Sequence, residues 1–240
     1  MISAPSANFD ARTGPPDMLI LHYTGMASGE AALARLRDPA AKVSAHYMVE
    51  EDGRVFALVD EARRAWHAGV SSWQGSTDIN TRAIGIEVVN PGHEFGYRPF
   101  PARQIDALVA LIGDIRSRWT ICDKAILAHS DVAPGRRQDP GELFPWETLA
   151  AAGHGLWVTP RDAPGEAIAP GDEGSSVAFL QNAFSRLGFD CPTTSRFDSS
   201  TQDVVVAFQR HWVQTRTDGH ADGATRARLM ALLRLAREAA

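Results

Sequence analysis

The chain has 240 residues, room for one large domain or a large and a small one, and its 44% hydrophobic and 22% charged content is that of a folded globular protein. With 24 Lys+Arg against 29 Asp+Glu the formal net charge is −5, which excludes the summed positive field that holds nucleic acid or an anionic membrane surface. The richest apolar run, residues 107–112, sits inside an amphipathic pattern and falls far short of the roughly 18 residues of a membrane span.

Residues 1–17 carry neither the basic start nor the apolar core of a secretory signal, so the expectation from the sequence as it stands is cytoplasmic residence. A leader removed beforehand would change that to the periplasm or cell envelope. Met18-Leu19-Ile20-Leu21 then reads as a buried strand that delivers His22-Tyr23-Thr24-Gly25 at its tip. Residues 30–37 have a helical pattern, and residues 45–49 and 55–59 form two strands around Glu51-Asp52-Gly53, a hairpin signal because glycine supplies positive φ. A third strand covers residues 83–89 and a fourth residues 125–128, the latter running straight into His129. Between them a helix follows Pro101, with Ile105, Leu108, Val109, Ile112 and Ile115 on one face. Strands alternating with helices indicate an α/β domain.

That domain closes near residue 155, because residues 156–167 join a stretch rich in Gly, Ala and Pro that reads as a linker. Residues 168–240 carry three helical stripes: Val177, Leu180, Phe184 and Leu187; then Val204, Val205 and Phe208 after an Asp198-Ser199 cap; then Leu229, Leu232 and Leu233 after Asp222. The expectation is a small all-α three-helix module. Cys122 and Cys191 show no metal or redox spacing and are read as unbridged.

The chemistry concentrates at His129-Ser-Asp-Val-Ala-Pro-Gly-Arg-Arg-Gln-Asp139-Pro-Gly141, which starts at a strand end and passes through two Pro/Gly turns. Those turns can return Asp139 toward His129, and His22, at another strand's end, can complete a set of three. Two imidazoles and a carboxylate suit a catalytic zinc that keeps its fourth position for water. Spacing alone does not bring Asp139 to His22, and a histidine at a strand end is often only a hydrogen-bonded residue. Glu87 sits among Ile84, Gly85, Ile86, Val88 and Val89, where a carboxylate needs a reason.

Leu19-Ile20-Leu21-His22-Tyr23-Thr24, Ser44-Ala45-His46-Tyr47, Ala65-Trp66-His67-Ala68-Gly69 with Trp73, Ile84-Gly85-Ile86-Glu87, and the His129 to Gly141 run together resemble the zinc-dependent N-acetylmuramoyl-L-alanine amidases of the AmpD/AmiD type. The resemblance implies a mixed sheet flanked by helices with a zinc at one end of the sheet. It also implies hydrolysis of the amide between N-acetylmuramic acid, including its 1,6-anhydro form, and L-alanine of the stem peptide. It makes His22, His129 and Asp139 the ligands of one Zn2+ per chain and Glu87 the catalytic acid/base. Arg137 stands where the family usually has a lysine near the developing oxyanion; arginine keeps the charge and loses the option of giving up a proton. Arg136 is the other candidate to face inward.

By the same resemblance Trp66, His67, Trp73 and Asn80 line the groove for sugar and peptide, with Arg64 or Arg82 meeting stem-peptide carboxylates, and His46 and Tyr47 support the site from behind. His93, His154, His211 and His220 match no chemical position. The C-terminal stretch, through Gly171-Asp172-Glu173-Gly174, Leu180-Gln181, Leu187-Gly188-Phe189, Phe208-Gln209 and Asp218-Gly219, resembles a peptidoglycan-binding module that tethers the enzyme to murein without touching the chemistry. The partner is thus peptidoglycan or a muropeptide. A non-catalytic peptidoglycan-binding protein is the competing reading, and a zinc sugar deacetylase a third.

Overall fold

The computed structural model describes residues 1–238. Its main sheet has six strands in the order β1-β5-β4-β7-β3-β8: β1 Ile2–Ser3, β3 Met18–Tyr23, β4 Tyr47–Val49, β5 Val55–Ala57, β7 Ala83–Val88 and β8 Ile126–Ala128. β4 and β5 pair antiparallel as the expected hairpin, with Gly53 at φ 87° in its turn, and every other neighbour pair is parallel, so the sheet is mixed. β3 and β7 are buried along nearly their whole length, which is why they read as unbroken apolar runs rather than alternating ones. β2 Phe9–Ala11 and β6 Arg63–Ala65 form a separate antiparallel pair.

Helices α1 Gly29–Arg37, α2 Ile79–Arg82, α3 Gly92–Phe95, α4 Ala102–Arg118, α5 His129–Val132 and α6 Trp146–Ala151 flank the sheet. Ser28 caps α1 through its hydroxyl. On α4 the predicted stripe is buried, and the buried Gln104 amide donates to the carbonyls of Val49 and Val89. Pro101 lies one position before this helix instead of in its first turn. The strands around residues 45–49, 55–59 and 83–89 are shorter than expected, at residues 47–49, 55–57 and 83–88. β1, β2 and β6 went unforeseen because pieces of two or three residues carry no periodicity.

The C-terminal helices are α7 Ser175–Leu187, α8 Ser199–Trp212 and α9 Gly223–Glu238; residues 239–240 of the expected module lie outside the described residues. Asp198 caps α8 as foreseen, and Asp222 accepts from the Thr225 amide at the start of α9. Two core glutamines pin the loops: Gln181 bonds Thr194, Arg196 and Thr201, and Gln209 bonds Gly219, His220 and Thr225.

This module is not tethered loosely. Its core is continuous with that of the sheet domain: Trp73 stacks edge-on against Phe189 with ring centroids 5.0 Å apart, Gln74 donates to the Gly188 carbonyl, Gln214 donates to the Phe144 carbonyl, and Trp212 donates to the Leu156 carbonyl. The start of the expected linker is therefore packed, with the Arg228 guanidinium 4.8 Å over the Trp157 ring. His211, which matched no chemical position in the sequence, is buried and bonds Asp131 at 2.6 Å, its ring between Trp146 and Trp212.

A shared core predicts a single unfolding transition. Phe208→Ala, at a fully buried position, is expected to cost about 3–5 kcal/mol and to move the urea midpoint read by tryptophan fluorescence and by circular dichroism together. Two separate transitions, of which only one responds, would show independent domains.

Candidate active site

The three parallel strands β3, β7 and β8 all end at one edge of the sheet. Their register places His22 directly opposite Glu87, and Leu21 opposite Ala128, so that His129 follows beside His22. The turn after α5 runs through Gly135 at φ 72° and returns Asp139 to the same point, where the Ser130 amide donates to the Asp139 carbonyl. His22 Nδ1, His129 Nδ1 and Asp139 Oδ2 then form a nearly equilateral triangle with edges of 2.9, 3.0 and 2.9 Å. All three residues are buried.

The outer nitrogens define what the inner ones are. His129 Nε2 lies 3.0 Å from the Ala68 carbonyl, which can only accept, so that nitrogen carries the proton. His22 Nε2 lies 3.1 Å from His67 Nδ1 and can donate to it. Both Nδ1 atoms are then lone pairs aimed at each other and at a carboxylate oxygen, an arrangement that a cation at the centre reconciles. The triangle's edges are close to the roughly 3.3 Å edge of a tetrahedron with metal–nitrogen bonds of about 2.0–2.1 Å. Among the described residues this is the group of His, Cys, Asp and Glu side chains arranged to hold a metal ion.

Burial pushes the His22 imidazole down to about 4, and the neighbouring His129 adds to that. For Asp139 burial works upward but His129 and His22 overcome it, holding the carboxyl well below its ordinary range. Both effects favour the deprotonated, ligating forms. Glu87 is driven the other way: burial, with Asp139 adding and Arg137 opposing, raises its carboxyl well above the usual value. Its Oε2 is buried without a hydrogen-bond partner.

A cavity of about 670 Å³ opens over these groups. His67, Arg136 and Arg137 line it as expected. Both arginines are exposed, and Arg136 is the more anchored, donating to the Ala68 carbonyl at 2.6 Å. Three expected groove residues lie elsewhere. Trp73 is buried under the C-terminal module, Trp66 donates to Asp10 at 2.7 Å outside the cavity, and Asn80 accepts from the backbone amides of His67 and Ala68. Asn80 thus shapes the loop that presents His67 and the Ala68 carbonyl. Tyr47, the first residue of β4, turns its hydroxyl to Glu61, to which it donates at 2.7 Å, instead of supporting the site. His46 does support it: its Nδ1 accepts from the Gly85 amide and its Nε2 bonds the Arg63 carbonyl, with burial pushing its imidazole down to about 4. Arg64 pairs with Asp10 and Asp78, and Arg82 with Asp17, so neither reaches the cavity.

Several contributors escaped sequence reasoning. His93 lines the cavity, bonded to Tyr23 at 3.0 Å and to Glu142 at 3.2 Å. Arg12 is a half-buried staple whose guanidinium donates to the carbonyls of Glu61, Arg63, Thr81 and Ala83. Gly85 supports the His67 ring, which a Cβ there would meet at 2.4 Å. A glycine inside a buried strand was the available signal for that close approach.

A family model described as N-acetylmuramoyl-L-alanine amidase matches residues 12–142. The chain belongs to this family. A peptidoglycan binding domain model matches residues 173–229. The chain is 36% identical to the N-acetylmuramoyl-L-alanine amidase AmiD of Escherichia coli (strain K12), covering 90% of this chain and 82% of AmiD. It resembles the solved complex of E. coli AmiD with the substrate anhydro-N-acetylmuramic acid-L-Ala-D-γ-Glu-L-Lys at a TM-score of 0.79, with 35% identity over 92% of this chain and 90% of that one. AmpDh3 from Pseudomonas aeruginosa is similar at a TM-score of 0.77, with 30% identity over 92% of each chain. As an N-acetylmuramoyl-L-alanine amidase, the chain acts on the amide that joins the muramic acid to the first alanine of the stem peptide. No helix among its described residues is long and apolar enough to cross a membrane.

Two outcomes follow for the amidase site. A carboxyl whose folded pKa is raised binds its proton more tightly when folded, so Glu87 lowers stability as pH rises from the ordinary carboxylate range through the folded value. Chelator-treated Glu87→Gln is therefore expected to be more stable than chelator-treated wild type at pH 7 and equal to it near pH 4, as read by thermal melts. Equal stability at both pH values would contradict the raised pKa. Gly85→Ala is expected to displace His67 and lower activity at least about tenfold, comparable to losing an outer-shell partner of a metal ligand, with reduced metal content by atomic absorption.

Proposed function

We propose that the enzyme is a zinc amidohydrolase in which His22, His129 and Asp139 hold the metal and Glu87 moves the protons. The observation that supports this most directly is the pair of imidazole Nδ1 lone pairs converging on a buried carboxylate oxygen. Zinc, when bound, supplies an acidified water and polarises the scissile carbonyl. The chain's own residues supply the rest. Glu87, opposite His22 across the strand pair and with a free Oε2, takes a proton at that oxygen and returns it to the departing alanine nitrogen. Its raised pKa suits a group that must both accept and donate near neutrality. Arg137, exposed in the cavity wall, gives fixed positive charge to the developing oxyanion, and Arg136 holds the Ala68 carbonyl that orients His129.

The substrate in this proposal is a muropeptide or the peptidoglycan itself, including the 1,6-anhydro form that appears in the AmiD complex. Residues 1–155 are the catalytic domain, 156–167 the connector and 168–240 the wall-binding module. Glu87→Gln is expected to keep about one zinc per chain while losing roughly 100-fold or more in rate, and Asp139→Ala to lose the metal itself. Metal analysis and product mass spectrometry separate the two. A zinc-loaded wild type that releases no L-alanine-headed stem peptide from an anhydro-muropeptide, a reducing muropeptide or sacculi would instead make this a binding protein. The relative rates on the free anhydro-muropeptide, the reducing muropeptide and sacculi show which of these substrates the enzyme prefers.

A further inference from the structure

We propose that Arg210, on helix α8 of the C-terminal module, binds the free α-carboxylate of the second stem-peptide residue and so makes that module part of the catalytic groove. The proposal rests on the amidase reading above for the identity of the ligand. Asp203, Val206 and Arg210 lie at i, i+3 and i+7, one face of α8, and that face lines the same cavity as His22, Glu87 and Asp139. The face is held there firmly. Asp203 packs over Gly135, where a Cβ would meet its carboxylate, and the buried bond from His211 to Asp131 fastens α8 two residues from His129.

Arg210 is a half-buried cation on this wall whose only ion-pair contact among the described residues is a long one to Glu142. Its Nε is buried and has no hydrogen-bond partner among the described residues, and the Glu142 carboxylate, 3.8 Å away, is already bonded by His93. A half-buried guanidinium without its hydrogen bonds is a costly arrangement unless a ligand supplies the acceptors. Of the other arginines lining the cavity, Arg35 and Arg137 are exposed, where water satisfies a guanidinium, and Arg136 bonds the Ala68 carbonyl; Arg64 and Arg82 pair with aspartates away from the cavity. When a D-glutamate is joined through its γ-carboxyl its α-carboxylate stays free, and a residue spacing of about 3.8 Å puts that anion just past the scissile amide. A planar fork facing a carboxylate forms two parallel hydrogen bonds.

The test uses the full-length, zinc-loaded protein and calorimetric titration with two peptides, L-Ala-D-γ-Glu-L-Lys and its analogue with the α-carboxylate amidated. Wild type is expected to bind the acid at least about tenfold more tightly than the amide, since a charged hydrogen-bonded pair is at stake. Arg210→Gln is expected to erase that preference with zinc content unchanged, and Arg210→Lys to keep part of it. A preference that survives Arg210→Gln, or one absent from wild type, overturns the proposal; if the glutamine variant does not fold, the lysine variant decides, an undiminished preference counting against Arg210. Wild type that prefers the acid yet cleaves no muropeptide would sink the amidase reading while leaving Arg210 as a carboxylate site.

Discussion

Two imidazole nitrogens and a carboxylate oxygen held about 3 Å apart in a buried pocket repel one another unless positive charge sits among them. The protein maintains that arrangement because each group is fixed from outside the triangle. Ala68 orients His129 and His67 orients His22, while the Ser130 amide holds the backbone of Asp139. Ala68 and His67 belong to one loop, and Asn80 fixes that loop by accepting from both of their amides. Such outer contacts decide the tautomer of each ring, and the tautomer decides whether a metal sees a lone pair or a proton.

One layer further out, the same logic explains why buried polar residues crowd the space between the sheet and the β2–β6 pair. Arg12 collects carbonyls from β6 and from the α2–β7 junction, and His46 links Gly85 to Arg63. These bonds tie the small sheet to β7, the strand that carries Glu87. The missing Cβ of Gly85 lets the His67 ring lie against that strand. Arg12 also meets His46 Nε2 directly at 2.9 Å, so the path from Arg12 to the cavity passes through the His46 ring to Gly85 and on to His67.

This is also why parts of the site were legible in the sequence and parts were not. His22, His129 and Glu87 announce themselves because each is a polar group ending or interrupting an apolar strand, and parallel pairing carries such positions to one edge. Asp139 needs the Pro/Gly turns between it and His129, and those too are visible in the chain. Trp73, Trp66 and Tyr47 misled because residue type does not say which face of a strand or loop looks into the cavity. Trp73 has the chemistry of a sugar platform and spends it on Phe189. His93, Arg12 and His211 gave no signal because their partners, Tyr23, Thr81 and Asp131, are 69 or more positions away, brought near only by tertiary packing.

The sheet domain and the three helices were expected as an enzyme and its tether, with function divided between them. The packing argues for a different division. Trp73, Phe144 and Trp146 lie in one core with Phe184, Phe189, Phe208 and Trp212, so the catalytic domain alone would expose large aromatic faces that α7 and α8 now cover. Across that junction a fully buried polar bond, His211 to Asp131, reaches the turn that begins with His129. Asp131 also accepts from the Ala128 amide at the end of β8, so its carboxylate closes the strand-to-helix corner from inside while His211 holds it from outside. A corner clamped on both sides fixes the backbone from which the His129 ring projects. A module that only tethered would need no buried histidine at this point, so the contact is better understood as part of what keeps the edge carrying His22, Glu87 and His129 rigid.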